Sequence, residues 1–339
     1  MKRKILRLSL WLIAGCGVLL LLVLVGVGVY SRTDHFRLLL REQALTAVRG
    51  AIDGEVTFER VSGSVWKELV FHDLRIQQHG VEVIAVPQLT VTIDLLPQVL
   101  SFLRSSAFHV ASLGLTAPVI KLIEDQKQGW NLARLIKASD QPQEPQAPLA
   151  FSIFLDQIKI TAGQIAVTQA AGEESHLTAL AVDGHVAVLP QGIQASLKTL
   201  DFSLARAGIP DVRWASALAY DDSVSPSVAR IERLDIRTAG SHLSASGAVQ
   251  DVSAPTMRLA IKVEKLAVAE LKMLLPTLPL QQDLSGTVDV IGPLAALQLA
   301  ATLQAPDGHL TTSVTADLTQ TPQRYHGTVA VQRFVVDKV

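Results

Sequence analysis

From Leu89 the chain reads Leu-Thr-Val-Thr-Ile-Asp-Leu, so Leu89, Val91, Ile93 and Leu95 fall on one side of an extended segment and Thr90, Thr92 and Asp94 on the other. Successive side chains of a strand point to opposite faces, so this period of two predicts a half-buried strand. The period returns in Met257, Leu259, Ile261 and Val263 against Arg258 and Lys262, and in Leu297, Leu299, Ala301 and Leu303 against Gln298 and Thr302. Shorter versions run through Leu74 to Ile76, Ile153 to Ile160, Leu197 to Leu204, Leu234 to Ile236, Leu243 to Val249, Val288 to Val290 and Leu310 to Leu318. Turn-forming residues separate them, as at Gln78-His79-Gly80, Ala207 to Asp211 and Pro306-Asp307-Gly308. Connections this short imply antiparallel neighbours. With no regular βαβ alternation, the fold class predicted is mostly β, a long and mainly antiparallel sheet with a few short helices. Gly327 to Val339 reads as a further strand.

Helical spacing is rarer. Thr33 or Asp34 can cap a segment carrying Phe36, Leu39, Leu40, Ala44 and Val48, and further short helices are predicted over Leu95 to Arg104, Trp130 to Lys137 and Val268 to Leu275, the last stopped by Pro276. Leu8 to Ser31 carries no charge, and Lys2, Arg3, Lys4 and Arg7 stand just before it. At about 1.5 Å per residue such a helix crosses a hydrocarbon layer of about 30 Å. The flanking cations favour the cytoplasmic side, which places the rest of the chain outside the cytoplasm. Two other fates stay open: cleavage as a signal peptide near Gly26 and Gly28, and lipidation of Cys16 after Ile13-Ala14-Gly15. An intact anchor is preferred, because the apolar core exceeds the 7–15 residues of a signal peptide and lipidation would leave the apolar Gly17 to Tyr30 at the mature start. The expected organisation is a cytoplasmic tip and transmembrane anchor over 1–31, an N-terminal β module with short helices over 32–138, a Pro/Gln linker over 139–149, and a repeating sheet over 150–339.

Composition narrows the chemistry. Cys16 is the only cysteine and lies within the apolar run, so the exported part has neither disulfide nor thiolate. A formal net charge of −1 offers no excess of cations for phosphate backbones, which argues against nucleic acid. Apolar residues make up 49% of the chain but aromatics only 5%, so Val, Leu, Ile and Ala carry the hydrophobicity. No metalloprotease, nucleophile-elbow, phosphate-loop or calcium-loop motif is present, and no enzyme activity or cofactor is expected. His72-Asp73 would point to opposite faces of a strand, Asp183-Gly184-His185 reads as a turn, and Asp221-Asp222 as a solvated loop. Trp66 and Trp130 fit either a packed core or a membrane interface. Asn131, the only asparagine, fits a helix cap.

The stretch from Val61 to Ile76 contains Gly63, Trp66 and Asp73 in Ser-Gly-Ser-Val-Trp and Leu-Val-Phe-His-Asp-Leu-Arg-Ile, and it resembles the N-terminal segment of the TamB family. Gly129-Trp130-Asn131-Leu132 resembles the Gly-x-Trp-Asn-Leu turn of AsmA-like proteins, and Ser241 to Gly247 and Leu259 to Gly286 resemble their repeat strands. The resemblance implies an inner-membrane-anchored periplasmic sheet curled into an open apolar groove. It further implies phospholipid as cargo, movement between inner and outer membranes, and a role in outer-membrane biogenesis, with no catalytic residue. Leu89, Val91, Ile93, Leu95, Met257, Leu259, Ile261, Val263, Leu297 and Leu299 are then the candidate groove residues. The family's C-terminal domain, which engages an outer-membrane barrel partner, has no counterpart here, so a longer molecule is expected. Two rivals stay open: a scaffold for inserting β-barrel or secreted proteins, whose free sheet edges would pair with client strands, and an anchored envelope enzyme, for which the sequence offers no converging charged pair.

Overall fold

The computed structural model describes residues 52–64, 67–93, 107–126, 129–135, 152–274, 280–319 and 324–333. The expected anchor with Lys2, Arg3, Lys4 and Arg7, the helix after Thr33, Trp66, Leu95, the helix over Leu95 to Arg104 and the 139–149 stretch lie outside them. The chain is mostly β, with two short α-helices among the described residues.

The strands are β1 (Glu55–Thr57), β2 (Arg60–Ser64), β3 (Glu68–Gln78), β4 (Val81–Thr92), β5 (Ala107–Val110), β6 (Ser112–Thr116), β7 (Val119–Asp125) and β8 (Gly129–Trp130), followed by helix α1 (Asn131–Leu135). Then come β9 (Ser152–Thr168), β10 (Glu174–Leu189), β11 (Gly192–Arg206), β12 (Val212–Asp221), β13 (Val228–Arg237), β14 (His242–Gln250) and β15 (Thr256–Leu266). Helix α2 (Val268–Leu274) leads to β16 (Leu284–Pro293), β17 (Leu297–Ala305), β18 (Gly308–Asp317) and β19 (Arg324–Gln332). From β9 to β19 every strand pairs antiparallel with the next, as the short turns require.

One junction departs from that rule. β5, β6 and β7 act as a single long strand, antiparallel to β4 on one side and parallel to β9 on the other, in unbroken register: Ala107 faces Ser152, Leu113 faces Ile158 and Val119 faces Gln164. A parallel pair needs a crossover, and the chain between β7 and β9, which includes β8 and α1, supplies its length. Local alternation cannot encode such a pairing. The strands on either side of residues 139–149 thus belong to one sheet.

A second feature crosses this part of the sheet. Asp73, Ala117, Ala162 and Ala179 adopt left-handed conformations, with φ of 50°, 49°, 54° and 54°. They line up: Ala117 lies opposite Ala162, Ala162 lies beside the Ala179 to Leu180 shift of β10, and Asp73 and Ala117 flank the same position of β4. Each irregularity lets the apolar alternation skip one residue without leaving its face. Ile158 and Ile160 are followed by Gly163 and Ile165, and a Cβ built on Gly163 lies 3.2 Å from side-chain atoms of Ile160, Leu180 and Pro118. A left-handed non-glycine residue costs about 1–2 kcal/mol, comparable to the gain from keeping one aliphatic side chain on the apolar face.

Among the described residues no second layer covers the sheet. Among the described residues, the elements in substantial contact are sheet neighbours, apart from α1 against β7 and β8 and a turn at Leu294–Ala296 against β18. The buried hydrophobic cluster is small and sits at the N-terminal end, where Leu135 of α1 meets Val56 and Ile76, with Ile52, Leu74 and Ile84 around them.

Further along the sheet, at the same end of the strands, α2 is tied to the β13–β14 turn. The Glu270 carboxylate accepts hydrogen bonds from Thr238 Oγ1, Ser241 Oγ and, at 2.8 Å, Gly240 N, while Ala267 N donates to Ser241 Oγ at 2.9 Å. Asp283 accepts from Val268 N at 3.0 Å and starts the helix. Burial raises the Glu270 pKa, but the hydrogen bonds from Ser241, Thr238 and Gly240 outweigh it and hold the carboxyl below its ordinary value of 4.5. A depressed carboxyl stabilises the fold above its unfolded pKa and loses that contribution as pH falls through the folded value. Hydrogen-exchange protection of the Gly240 and Ala267 amides is therefore expected to drop on acidification below pH 4.5, and Glu270→Ala is expected to cost about 1–3 kcal/mol at neutral pH.

Candidate functional site

The register places the sequence-predicted residues on one face and joins them through residues the sequence does not single out. One row of directly paired positions runs Gly63, Leu69, Val91, Leu113, Ile158, Gly184, Leu197, Leu218, Ile231, Gly247, Leu259, Val290, Leu299, Val314, Gly327. Every member is glycine or an aliphatic residue. With neighbouring strands about 4.8 Å apart, the row is about 65 Å long. Val91, Leu259 and Leu299 belong to it, and Leu89 and Ile261 belong to the next row, which runs from Val61 through Phe71, Leu115, Ile160, Val182, Leu200, Ser216, Leu234, Ala245, Val288, Ala301 and Thr312 to Val329. Met257 lies opposite Val249 and Gly292, Val263 opposite Leu243 and Gly286, and Leu297 opposite Ala316. Ile93 follows the end of β4 and is half-buried.

Val91, Leu113, Ile158, Leu197, Leu218, Ile231, Leu259, Val290, Leu299 and Val314 are all half-buried, shielded by lateral neighbours but, among the described residues, not by a facing layer. Lys159, Arg230, Arg258, Lys262, Gln298 and Thr302 on the opposite face are exposed. This is an accessible apolar surface backed by a polar one.

The glycines in these rows are places where strands approach closely. At Gly247 and Gly286 φ is 154° and 148°. A Cβ there would stand 2.1 Å from Arg258 O and 2.0 Å from Thr302 O. Gly184, expected within a turn, is instead mid-strand in β10, between Ile158 and Leu197, so Asp183 and His185 flank it within a strand.

Other singled-out residues hold structure together. Asn131 is buried, and its side chain mimics a strand: Oδ1 accepts from Ile123 N at 3.0 Å and Leu132 N at 2.9 Å, and Nδ2 donates to Lys121 O at 2.8 Å. It pins α1 to the edge of β7 rather than simply capping the helix. Asn131→Ala leaves those backbone groups without their partner and is expected to cost about 1–3 kcal/mol, read by denaturant unfolding. Trp130 is 37% exposed, which sets aside a packed-core role. Gly129, with φ 71°, makes the turn ahead of it, and Gly63, with φ 91°, lies where a Cβ would meet Glu68 O. Asp73 is exposed at its left-handed position, while His72 Nε2 lies 2.8 Å from Ser62 Oγ.

Among the described residues no three His, Cys, Asp or Glu side chains gather as metal ligands, and no helix is long and apolar enough to cross a membrane. Asp221 accepts from Ser223 and Gln194, and these bonds lower its pKa against the effect of burial. Asp222 takes the Tyr220 hydroxyl at 3.3 Å and Ile193 N. Both carboxylates organise the β12–β13 connection.

No family model, curated protein or solved structure matches the chain. The apolar face is the candidate site on geometry alone.

Proposed function

We propose that the chain is an inner-membrane-anchored periplasmic protein of the TamB and AsmA-like type, whose sheet curls into an open apolar groove that carries phospholipid between the inner and outer membranes and supports outer-membrane biogenesis. The row from Leu69 to Val314, made of aliphatic residues and glycines with no polar side chain, carries this reading. Its aliphatic side chains are half-buried with no facing layer among the described residues, which leaves a hydrocarbon tail somewhere to lie. Exposing a tail of sixteen carbons to water costs on the order of 12 kcal/mol at about 0.8 kcal/mol per methylene. A continuous apolar surface removes most of that barrier without a specific ligand site. The protein then acts as a binding surface, not as an enzyme, and needs no cofactor.

A second reading rests on β19, which among the described residues pairs with β18 alone; its Tyr325, Val329 and Val331 are 63%, 61% and 53% exposed, and it carries no proline or lysine. Such an edge can pair with a client strand, as a scaffold for barrel or secreted proteins would need. Mass spectrometry of the intact chain purified from bacterial membranes separates the two. The conduit predicts phospholipid in near-stoichiometric amount; peptide cargo without lipid would favour the scaffold.

A further inference from the structure

We infer that Trp214, stacked on Phe202, is a positioning residue that keeps the path of an acyl chain apolar across a buried hydroxyl, a step that rests on the lipid-carrying function proposed above. The hydroxyl is that of Ser216. In the row between Val61 and Ala301 it is the one polar side chain, set between Leu200 and Leu234. On a face without a covering layer a hydroxyl would be wet, yet Ser216 is 0% exposed.

The cause is local. Trp214 lies two residues away on the same strand face, and its Nε1 donates to Ser216 Oγ at 2.9 Å, which draws the indole over the serine. Ser216 Oγ in turn donates to Leu200 O at 3.3 Å. The indole N–H and the hydroxyl thus satisfy one another and the backbone, and the groups that could bind water or a headgroup are engaged. Both rings are only half-buried. Phe202 stacks on Trp214 with centroids 5.6 Å apart and planes 12° from parallel, which widens the apolar plate toward β11. Such a plate offers contact area but no hydrogen bond, so its ligand is the hydrocarbon part of a lipid and not its phosphate or ester.

The test uses the full chain with Trp11, Trp66 and Trp130 replaced by Phe, which leaves Trp214 as the only indole. Solubilised protein is loaded with phosphatidylcholine whose acyl chains are brominated, and emission is compared with the unbrominated lipid. Bromine on a chain lying against the plate is expected to quench Trp214 at least twofold. Absence of quenching while a photo-crosslinker at Ile261 still captures lipid overturns the assignment of Trp214 alone; no lipid at either position overturns the lipid-carrying function as well.

The shielding role has its own readout. Trp214→Ala exposes the hydroxyl and is expected to slow lipid transfer by about fivefold or more, the low end of what an unsatisfied hydroxyl costs. Trp214→Ala combined with Ser216→Ala removes the group that needed shielding and is expected to recover transfer to within twofold of the parent. A double variant as slow as the single one would overturn the shielding role. The quenching experiment keeps the tryptophan and so stands even if Trp214→Ala does not fold.

Discussion

Leu259→Asp combined with Ile261→Asp is expected to stop the proposed lipid transfer, with a loss of at least tenfold, while the chain stays folded. The two residues are neighbours on one strand and lie in the two adjacent aliphatic rows, opposite Gly247 and Val290 and opposite Ala245 and Val288. With no ligand, a carboxylate at either position reaches water, because both sites are half-buried and uncovered. The folding cost is then about 1–3 kcal/mol, the range of an ordinary substitution. With an acyl chain laid across the row the same carboxylate must be desolvated without a partner, which costs far more. The substitution therefore separates occupancy from folding. Thr287→Asp and Thr302→Asp add the same charge on the opposite face and are expected to leave transfer unchanged; equal losses from both pairs would show that general charge, not the apolar face, is at work.

Gly286→Ala is expected to have the largest effect on stability, about 2–4 kcal/mol, the range of strained or overpacked sites. The added Cβ would stand 2.0 Å from Thr302 O and 2.9 Å from Leu303 Cα, at a φ of 148° that side-chain-bearing residues rarely adopt. β16 and β17 would have to separate where they exchange ladder hydrogen bonds. Since the sheet is held by neighbour-to-neighbour pairing, the damage should stay local, as in solenoid arrays. Hydrogen exchange is expected to accelerate in β16 and β17 and to remain slow in β9 to β11. Uniform loss of protection would show that the sheet unfolds as one unit.

The sequence reveals the faces of this sheet better than its path. Met257, Leu259, Ile261 and Val263 alternate without a break, and β15 is regular along them. β9, at 17 residues, is much longer than its visible run from Ile153 to Ile160, and the 16-residue β10 shows no run at all, because the alternation changes phase at Ala162 and Ala179 and reads as an interruption. Gly184 looks like punctuation for a related reason: glycine marks both a turn and a close approach of strands, and the residue type alone does not say which. The parallel register of β7 with β9 joins residues forty-five apart, such as Val119 and Gln164, so no local period records it. Helix α2 over Val268–Leu274 is legible from its spacing and from Pro276 beyond it. The clamp from Glu270 to Thr238 and Ser241 is not, because it depends on how the β13–β14 turn meets the helix.

The candidate surface follows the same division. Leu259 and Leu299 can be chosen from alternation, but Val290 between them, and Leu218 and Ile231 further along, join the row only through register. Trp214 lies in a strand with little visible period, and only the hydrogen bond to Ser216 gives it a role on that face.

The central claim is that hydrocarbon lies along this aliphatic row. A photoreactive amino acid placed in turn at Val91, Ile261 and Lys262 of the full chain produced in living bacteria, followed by mass analysis of what it captures, tests it most directly. Phospholipid adducts at Val91 and Ile261 and none at Lys262 are predicted; polypeptide adducts alone, or lipid captured equally from both faces, would contradict it.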